Sequence, residues 1–297
     1  MIAEWLPRWW SVVTTLRPVH WVKNLMLLAP AIFGQIGLTG ALARDLGIGF
    51  IVMSVAASAG YLVNDVLDSG ADRTHPIKRR RAIAAGKLAP RAALVLAALL
   101  GLSAVTFAFL ALGEAIAGWV VCYLLVTLTY SIRLKRLPVI DLFTLSVLYL
   151  VRLKVGGDIA GVVISEWLWA FGFCCVATLA LGKRLDELVA GQTGASHAGR
   201  YYRAAHVQAF EVACLVFAAV TVAIAGGYIL VSEAVLINYR EPHWLWGGVL
   251  LLAIWLARIL RCARVGGLAG DPVRFAVADP LSLVLALGMG VTLVAAI

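Results

Sequence analysis

Long, nearly uncharged apolar stretches constrain this chain more than any other feature. Nine of them occur, at roughly residues 22–43, 46–66, 91–112, 114–131, 138–160, 167–189, 207–231, 243–261 and 276–296. A helix needs about 20 mainly apolar residues to cross the hydrocarbon core of a bilayer. Buried strands can be equally apolar but are far shorter, so length decides in favour of helix. The expected fold is all-α: a single polytopic bundle of nine transmembrane helices over residues 1–297. Composition points the same way. Of the 297 residues, 62% are hydrophobic and 14% are charged, against about 25% charged in a soluble domain. A soluble globule of this size has too little interior to hide that excess. A soluble enzyme, a disordered chain and a disulfide scaffold are thereby excluded. The five cysteines all lie in apolar runs without metal-type spacing and read as small buried hydrophobes. The first ten residues, MIAEWLPRWW, lack the apolar core of a cleaved leader.

Charge gives the sidedness. Lys and Arg number 25 and Asp and Glu 16, a net +9. With no polar domain left to carry a nucleic-acid surface, nucleic acid is not an expected partner. The excess instead sets orientation and meets phosphate. Arg8, Arg17 and Lys23 precede or open the first run. Arg73, Lys78, Arg79, Arg80, Arg81, Lys87 and Arg91 follow the second; Arg133, Lys135 and Arg136 the fourth. Lys183, Arg184, Arg200 and Arg203 follow the sixth; Arg258, Arg261, Arg264 and Arg274 the eighth. Only Arg44, Arg152, Lys154 and Arg240 remain for the other side or the interior. This bias predicts a plasma-membrane protein with a cytoplasmic N-terminus and an outer C-terminus. Trp167, Trp169, Trp244 and Trp246 fit the outer interface, and residues 1–21, with Trp9, Trp10 and Trp21, an interfacial helix on the inner leaflet.

The second run ends in GYLVNDVLDSGADRTHPIKRR. Asp65, Asp68 and Asp72 stand at i, i+3 and i+7, one face of a helix. Carboxylates crowded beside hydrocarbon repel one another and are usually functional. Carboxylate oxygens suit Mg²⁺, commonly with phosphate completing its shell, so the face reads as a Mg²⁺–diphosphate site with Asn64 bonding to it. Lys78, Arg79 and Arg81 are the best-matched phosphate contacts among the cations that follow, with Arg73 beside them. His75, before Pro76, reads first as a turn residue.

This N-D-x-x-D-x-x-x-D motif at the end of a second span resembles the UbiA superfamily of intramembrane prenyltransferases, and the whole chain fits that family. The resemblance implies a cytoplasm-facing cavity in which a diphosphate is held through Mg²⁺. A narrower resemblance is to decaprenyl-phosphate phosphoribosyltransferases. It rests on R-P-x-x-W-x-K-N (Arg17, Pro18, Trp21, Lys23, Asn24) and D-R-x-H-P-x-K-R-x-R with I-A-x-G (Asp72 to Arg81, then Ile83, Ala84, Gly86). It also rests on Tyr130 with Lys135, on Gly182-Lys183-Arg184 with Glu187 and Leu188, and on Gly266 to Gly270. It implies substrate contacts from Lys23, Asn24, Tyr130, Lys135, Lys183, Arg184 and Glu187. Ala82 and Ala85 depart from that pattern, which usually has Pro and often Ser there. Lys135 stands one residue beyond the superfamily's Y-x-x-x-K.

Typical members carry a second acidic pair, D-x-x-x-D, at the end of the sixth span. Here LALGKRLDELVAG places Lys183 and Arg184 before Asp186 and Glu187. Fewer metal ligands and more phosphate donors suit phosphoribosyl pyrophosphate, which carries a diphosphate and a separate 5-phosphate. The expected activity is Mg²⁺-dependent transfer of 5-phosphoribose to a polyprenyl phosphate. An aromatic prenyltransferase and a transporter are the alternatives, the second disfavoured because the acids cluster at one face. A homo-oligomer is compatible with this reading. In the fifth run Arg152 reads as either a phosphate contact or a partner of Asp158. Glu211 reads as a lone interior acid, and Asp271 and Asp279 as loop and helix-start residues.

Overall fold

The computed structural model describes residues 13–76, 78–137, 139–192, 204–268 and 270–297, without the side chains of 191 and 192. Arg8, Trp9, Trp10, Arg200 and Arg203 fall outside the described residues. Among those described there is no strand, and the expected all-α class holds. The chain divides into two compact units. The first is built from Met1–Thr144 and Val151–Val163, the second from Leu145–Leu150, Ile164–Gly194 and Tyr202–Ile297, less the undescribed residues.

In the first unit a 3₁₀ segment, Pro18–Leu28, runs into the short helix α1 (Ala29–Phe33). The long helix α2 (Gly40–Thr74) follows, then α3 (Pro90–Leu112), α4 (Glu114–Ile132) and most of α5 (Ile140–Ala160). The apolar run 22–43 is therefore not one membrane-crossing helix. Pro30 lacks an N–H, Gly34 ends α1, and Gln35 takes a positive φ of 49°. The run stays apolar because it is packed: Leu27 is fully buried against α2 and α5. At Gly156 of α5 an added methyl would collide with the Leu27 backbone, so only glycine allows this approach.

Thr39 caps α2, its hydroxyl accepting from Leu42 N at 3.2 Å. The small residues Ala56 to Gly60 let neighbouring helices approach closely. Thr127 of α4 lies directly over Gly60. With 35 residues, α2 is about 52 Å long, well beyond the roughly 30 Å core of a bilayer. Its last turns, with the acidic motif, have length to spare. A buried cluster of Leu62, Ile83, Ala93 and Ala97 fastens the loop after α2 onto α2 and α3. Of the expected interfacial segment, residues 1–12 lie outside the described residues. Trp21 is half-buried, and its indole N–H donates to Ser58 Oγ of α2 at 3.1 Å.

The second unit contains α6 (Glu166–Gln192), α7 (Val207–Val231), the short α8 (Glu233–Asn238), α9 (Trp244–Arg264), α10 (Pro272–Ala278) and α11 (Pro280–Ala296). The rings of Trp246 and Trp167 lie over Gly226 and Gly227 of α7. The run 276–296 is bent by 83° between α10 and α11. At that bend Asp279 caps α11 and forms a two-point ion pair with Arg258, at 3.0 and 2.6 Å. Asp271 likewise caps α10. Glu211, expected to be a lone acid, is paired with Arg264 at 2.6 Å.

Among the described residues six helices are long and apolar enough to cross a membrane, or seven if α10 and α11 count as one span. This is a multi-pass membrane protein, and among the described residues not every one of the nine apolar runs is a single straight helix. α5 has the length but carries Asp141, Arg152, Lys154 and Asp158. Gly156→Ala should destabilise the protein by about 1–3 kcal/mol of overpacking strain and so lower its Tm in detergent. Gly37→Ala, with open space around it, serves as the control. Equal Tm values for the two variants would contradict this packing.

Candidate active site

The periodicity of α2 brings Asp65, Asp68 and Asp72 onto one face. Asp65 and Asp72 are buried, at 3% and 4% exposure, and burial of that kind demands positive partners. Three cations from three different segments supply them. Arg17, just before the 3₁₀ segment, donates from Nη2 to Asp65 Oδ1 at 2.5 Å, and its guanidinium lies 5.0 Å over the Tyr61 ring. Arg81, in the loop after α2, bridges two carboxylates: its Nη1 is 3.1 Å from Asp65 Oδ1 and 2.7 Å from Asp72 Oδ2. Lys135, in the turn after α4, donates to Asp68 Oδ1 at 2.5 Å and to Asn64 Oδ1 at 3.0 Å. Asn64 also donates from Nδ2 to Asp68 Oδ2 at 3.0 Å. Asn64, Asp65, Asp68, Asp72, Arg81 and Lys135, all expected site residues, are therefore brought together. The displaced lysine of the Y-x-x-x-K comparison still reaches the acidic face.

Arg17 was assigned to orientation by the charge count, and its role at Asp65 was missed. The available signal was its place in the R-P-x-x-W-x-K-N stretch. Arg73 and Arg79 are exposed, and among the described residues neither makes a side-chain hydrogen bond or ion pair. The Nδ1 of His75 accepts from Lys78 N at 3.3 Å, the turn role expected of it. Burial, then the nearby Lys78 charge, lowers the His75 pKa, which keeps that acceptor unprotonated.

The donor set fits a hard divalent cation in kind, since it is all carboxylate oxygen. Two of the three carboxylates already converge on a single cationic nitrogen, that of Arg81. Among the described residues no three acidic, His or Cys groups enclose one point. Side-chain cations hold the carboxylates in this arrangement.

Asn24, expected to touch substrate, is buried and hydrogen-bonded within the bundle. Its Nδ2 donates to Ser54 Oγ at 2.9 Å, and its Oδ1 accepts from Arg152 Nε at 2.7 Å. Arg152 is also buried. It donates to the Tyr123 hydroxyl at 2.8 Å and lies 4.8 Å from that ring. The expected partner of Arg152, Asp158, is instead held by Lys154 and by the Trp119 indole at 2.9 Å. Lys23 is half-buried on the 3₁₀ segment, and Tyr130 half-buried near the end of α4.

In the second unit Arg184 is 1% exposed and pairs with Glu187 at 2.7 Å. The structure thus gives these two expected substrate contacts to each other, while Lys183 beside them is half-buried. Asp186 is committed elsewhere. Its two oxygens accept from Leu268 N at 2.8 Å and Gly270 N at 3.1 Å. This clamps the glycine-rich loop, where Gly266 and Gly270 adopt φ of 69° and 82°. Substituting either would force a side chain into left-handed backbone.

The family model for the UbiA prenyltransferase family matches residues 26–275. The decaprenyl-phosphate phosphoribosyltransferase of Mycobacterium tuberculosis (strain ATCC 25618 / H37Rv) is 33% identical over 97% of this chain and 94% of that protein. The protein y4nM of Sinorhizobium fredii is 30% identical over 95% of this chain. It is a longer protein, and the match covers 53% of its length. A solved UbiA homolog from Archaeoglobus fulgidus, bound to GPP and Mg²⁺, has the same fold. The TM-score is 0.67 at 14% identity, covering 95% of this chain and 99% of that one.

Removing the Asp186 clamp frees two backbone N–H groups. Asp186→Ala should expose the 266–270 loop to protease before the helices unfold, at a cost of about 1–3 kcal/mol per unsatisfied group. Unchanged proteolysis there would show that the clamp is dispensable.

Proposed function

The chain belongs to the UbiA prenyltransferase family, and within it we propose transfer of 5-phosphoribose from phosphoribosyl pyrophosphate to a polyprenyl phosphate, with release of pyrophosphate. One observation carries the choice of donor. Asp186 and Glu187 are committed to a loop backbone and to Arg184, which leaves the Asp65–Asp72 face as the acidic cluster available for metal. A donor with one diphosphate and one separate phosphate matches one acidic face plus surplus cations. The 33% identity to a decaprenyl-phosphate phosphoribosyltransferase over nearly all of both chains supports the same reading.

In this reading Asp65, Asp68 and Asp72 would hold Mg²⁺, the ion present in the solved Archaeoglobus fulgidus homolog. The metal supplies Lewis-acid charge for the leaving diphosphate. Asn64 keeps Asp68 oriented. Arg81 and Lys135, released from the carboxylates, turn to phosphate oxygens, for which their donors are suited. Lys183 is assigned to phosphate as well, and Lys23, Arg73, Lys78, Arg79 and Tyr130 to the substrate's polar groups. The C1–O bond of the ribose loosens, and positive charge builds at C1 as in other glycosyl transfers. A phosphate oxygen of the polyprenyl phosphate attacks C1 from the opposite face, and pyrophosphate departs. The nucleophile is already anionic, so no strong general base is needed. Electrostatic stabilisation supplies most of the catalysis.

The cation distribution supports a plasma-membrane protein with its N-terminus and this site on the cytoplasmic side. A lipid-linked pentose of this kind serves as a precursor for cell-envelope arabinan.

Purified protein with Mg²⁺ should form product from labelled phosphoribosyl pyrophosphate and polyprenyl phosphate, but none from a prenyl diphosphate and 4-hydroxybenzoate. Asp65→Asn and Asp68→Asn, verified as folded, should each lose about 10²–10³-fold in kcat. Product only from the second substrate pair would make the chain an aromatic prenyltransferase. Full activity in both variants would remove the acidic face from the chemistry.

A further inference from the structure

Arg17 reaches the acidic face from outside α2 and the loops that follow it. Its backbone is left-handed, φ 53° and ψ 57°, a costly conformation for a residue with a side chain. Pro18 follows directly and starts the 3₁₀ segment, so the backbone fixes where the side chain begins its reach. The guanidinium stacks on Tyr61, one turn of α2 before Asp65, and covers Asp65 Oδ1. Arg81 approaches the same oxygen. A buried carboxylate oxygen that already accepts from two guanidinium groups has little left to offer a metal. Like charges at such separation also repel strongly in a partly buried setting. Both guanidinium groups sit on Oδ1, so a divalent cation approaching Asp65, at Oδ2 as well, meets their charge and binds more favourably once Arg17 withdraws. The guanidinium lies 5.0 Å from the Tyr61 ring centroid, beside the acidic face, and its paired donors match phosphate oxygens.

Resting on the metal–diphosphate reading above, we propose that Arg17 is an exchangeable partner. It neutralises Asp65 in the ligand-free protein and passes to the diphosphate when metal takes the carboxylate. Two opposite consequences follow. Arg17 opposes binding of bare metal, and it favours binding of diphosphate in the presence of metal. The site thus discriminates against metal arriving without its diphosphate. This exchange makes Arg17 a substrate contact in the loaded site, where the charge count alone gave it only an orienting role.

The test measures binding, not turnover, on the full-length protein in detergent. Mn²⁺ alone is titrated by electron paramagnetic resonance, and labelled inorganic pyrophosphate is titrated at saturating Mn²⁺. Arg17→Met should tighten Mn²⁺ alone by about threefold to tenfold, and weaken pyrophosphate by about tenfold or more, the worth of one or two charge-assisted hydrogen bonds. Arg17→Lys keeps a charge near Asp65 but loses the planar fork. It should bind Mn²⁺ alone like the parent yet still bind pyrophosphate more weakly. A general loss of structure would weaken both ligands and would overturn the proposal. So would an Arg17→Met protein indistinguishable from the parent, or, should that variant not fold, an Arg17→Lys protein with parental pyrophosphate affinity. Asp65→Asn separates the two levels. If it leaves Mn²⁺ binding intact, the metal reading of the acidic face itself fails. If it abolishes Mn²⁺ binding while the Arg17 variants behave like the parent, only the exchange falls.

Discussion

Three carboxylates on about two turns of a helix cannot stay together beside an apolar bundle unless something positive holds them. That single electrostatic constraint organises the first unit. Arg17, Arg81 and Lys135 come from an N-terminal segment, the loop after α2 and the turn after α4, and each ends on the same face. Three otherwise independent connections are thereby tied to the end of α2. The loop after α2 is fastened a second time by Leu62 and Ile83. The same pairs that steady the ligand-free protein are the ones a metal and a diphosphate would have to rearrange, so stability and function draw on one set of contacts.

The second unit uses its charges differently. Arg184 with Glu187, Arg258 with Asp279 and Arg264 with Glu211 are each paired within the unit. Asp186 spends both oxygens on backbone N–H groups of the glycine-rich loop. Carboxylates used in this way serve as caps and clamps. The contrast between an acidic face paired with side-chain cations and Asn64 and an Asp186 locked into backbone hydrogen bonds is the main support for proposing metal chemistry on α2.

Much of this was readable from residue spacing. The i, i+3, i+7 acids emerge from helical periodicity alone, and the helix-start placement of Asp271 and Asp279 from the prolines beside them. Hydropathy marked the helical stretches but not where they break. It cannot distinguish a run that crosses a bilayer from one buried against other helices around Pro30 and Gly34. Long-range pairing was hidden for a related reason. Arg17 and Asp65 are 48 positions apart, and Asn24 and Arg152 128 positions apart. Nothing local says which of many cations will close on which acid. Burial, invisible in sequence, likewise hid that Arg184 pairs with Glu187.

The central claim is that the α2 face is the metal–diphosphate site. A structure of the protein with Mn²⁺ and phosphoribosyl pyrophosphate, recorded with anomalous scattering, tests it most directly. The account predicts manganese bounded by oxygens of Asp65, Asp68 and Asp72, with the diphosphate against it. Manganese at Asp186 and Glu187 instead, with the α2 carboxylates still paired to Arg17, Arg81 and Lys135, would contradict it.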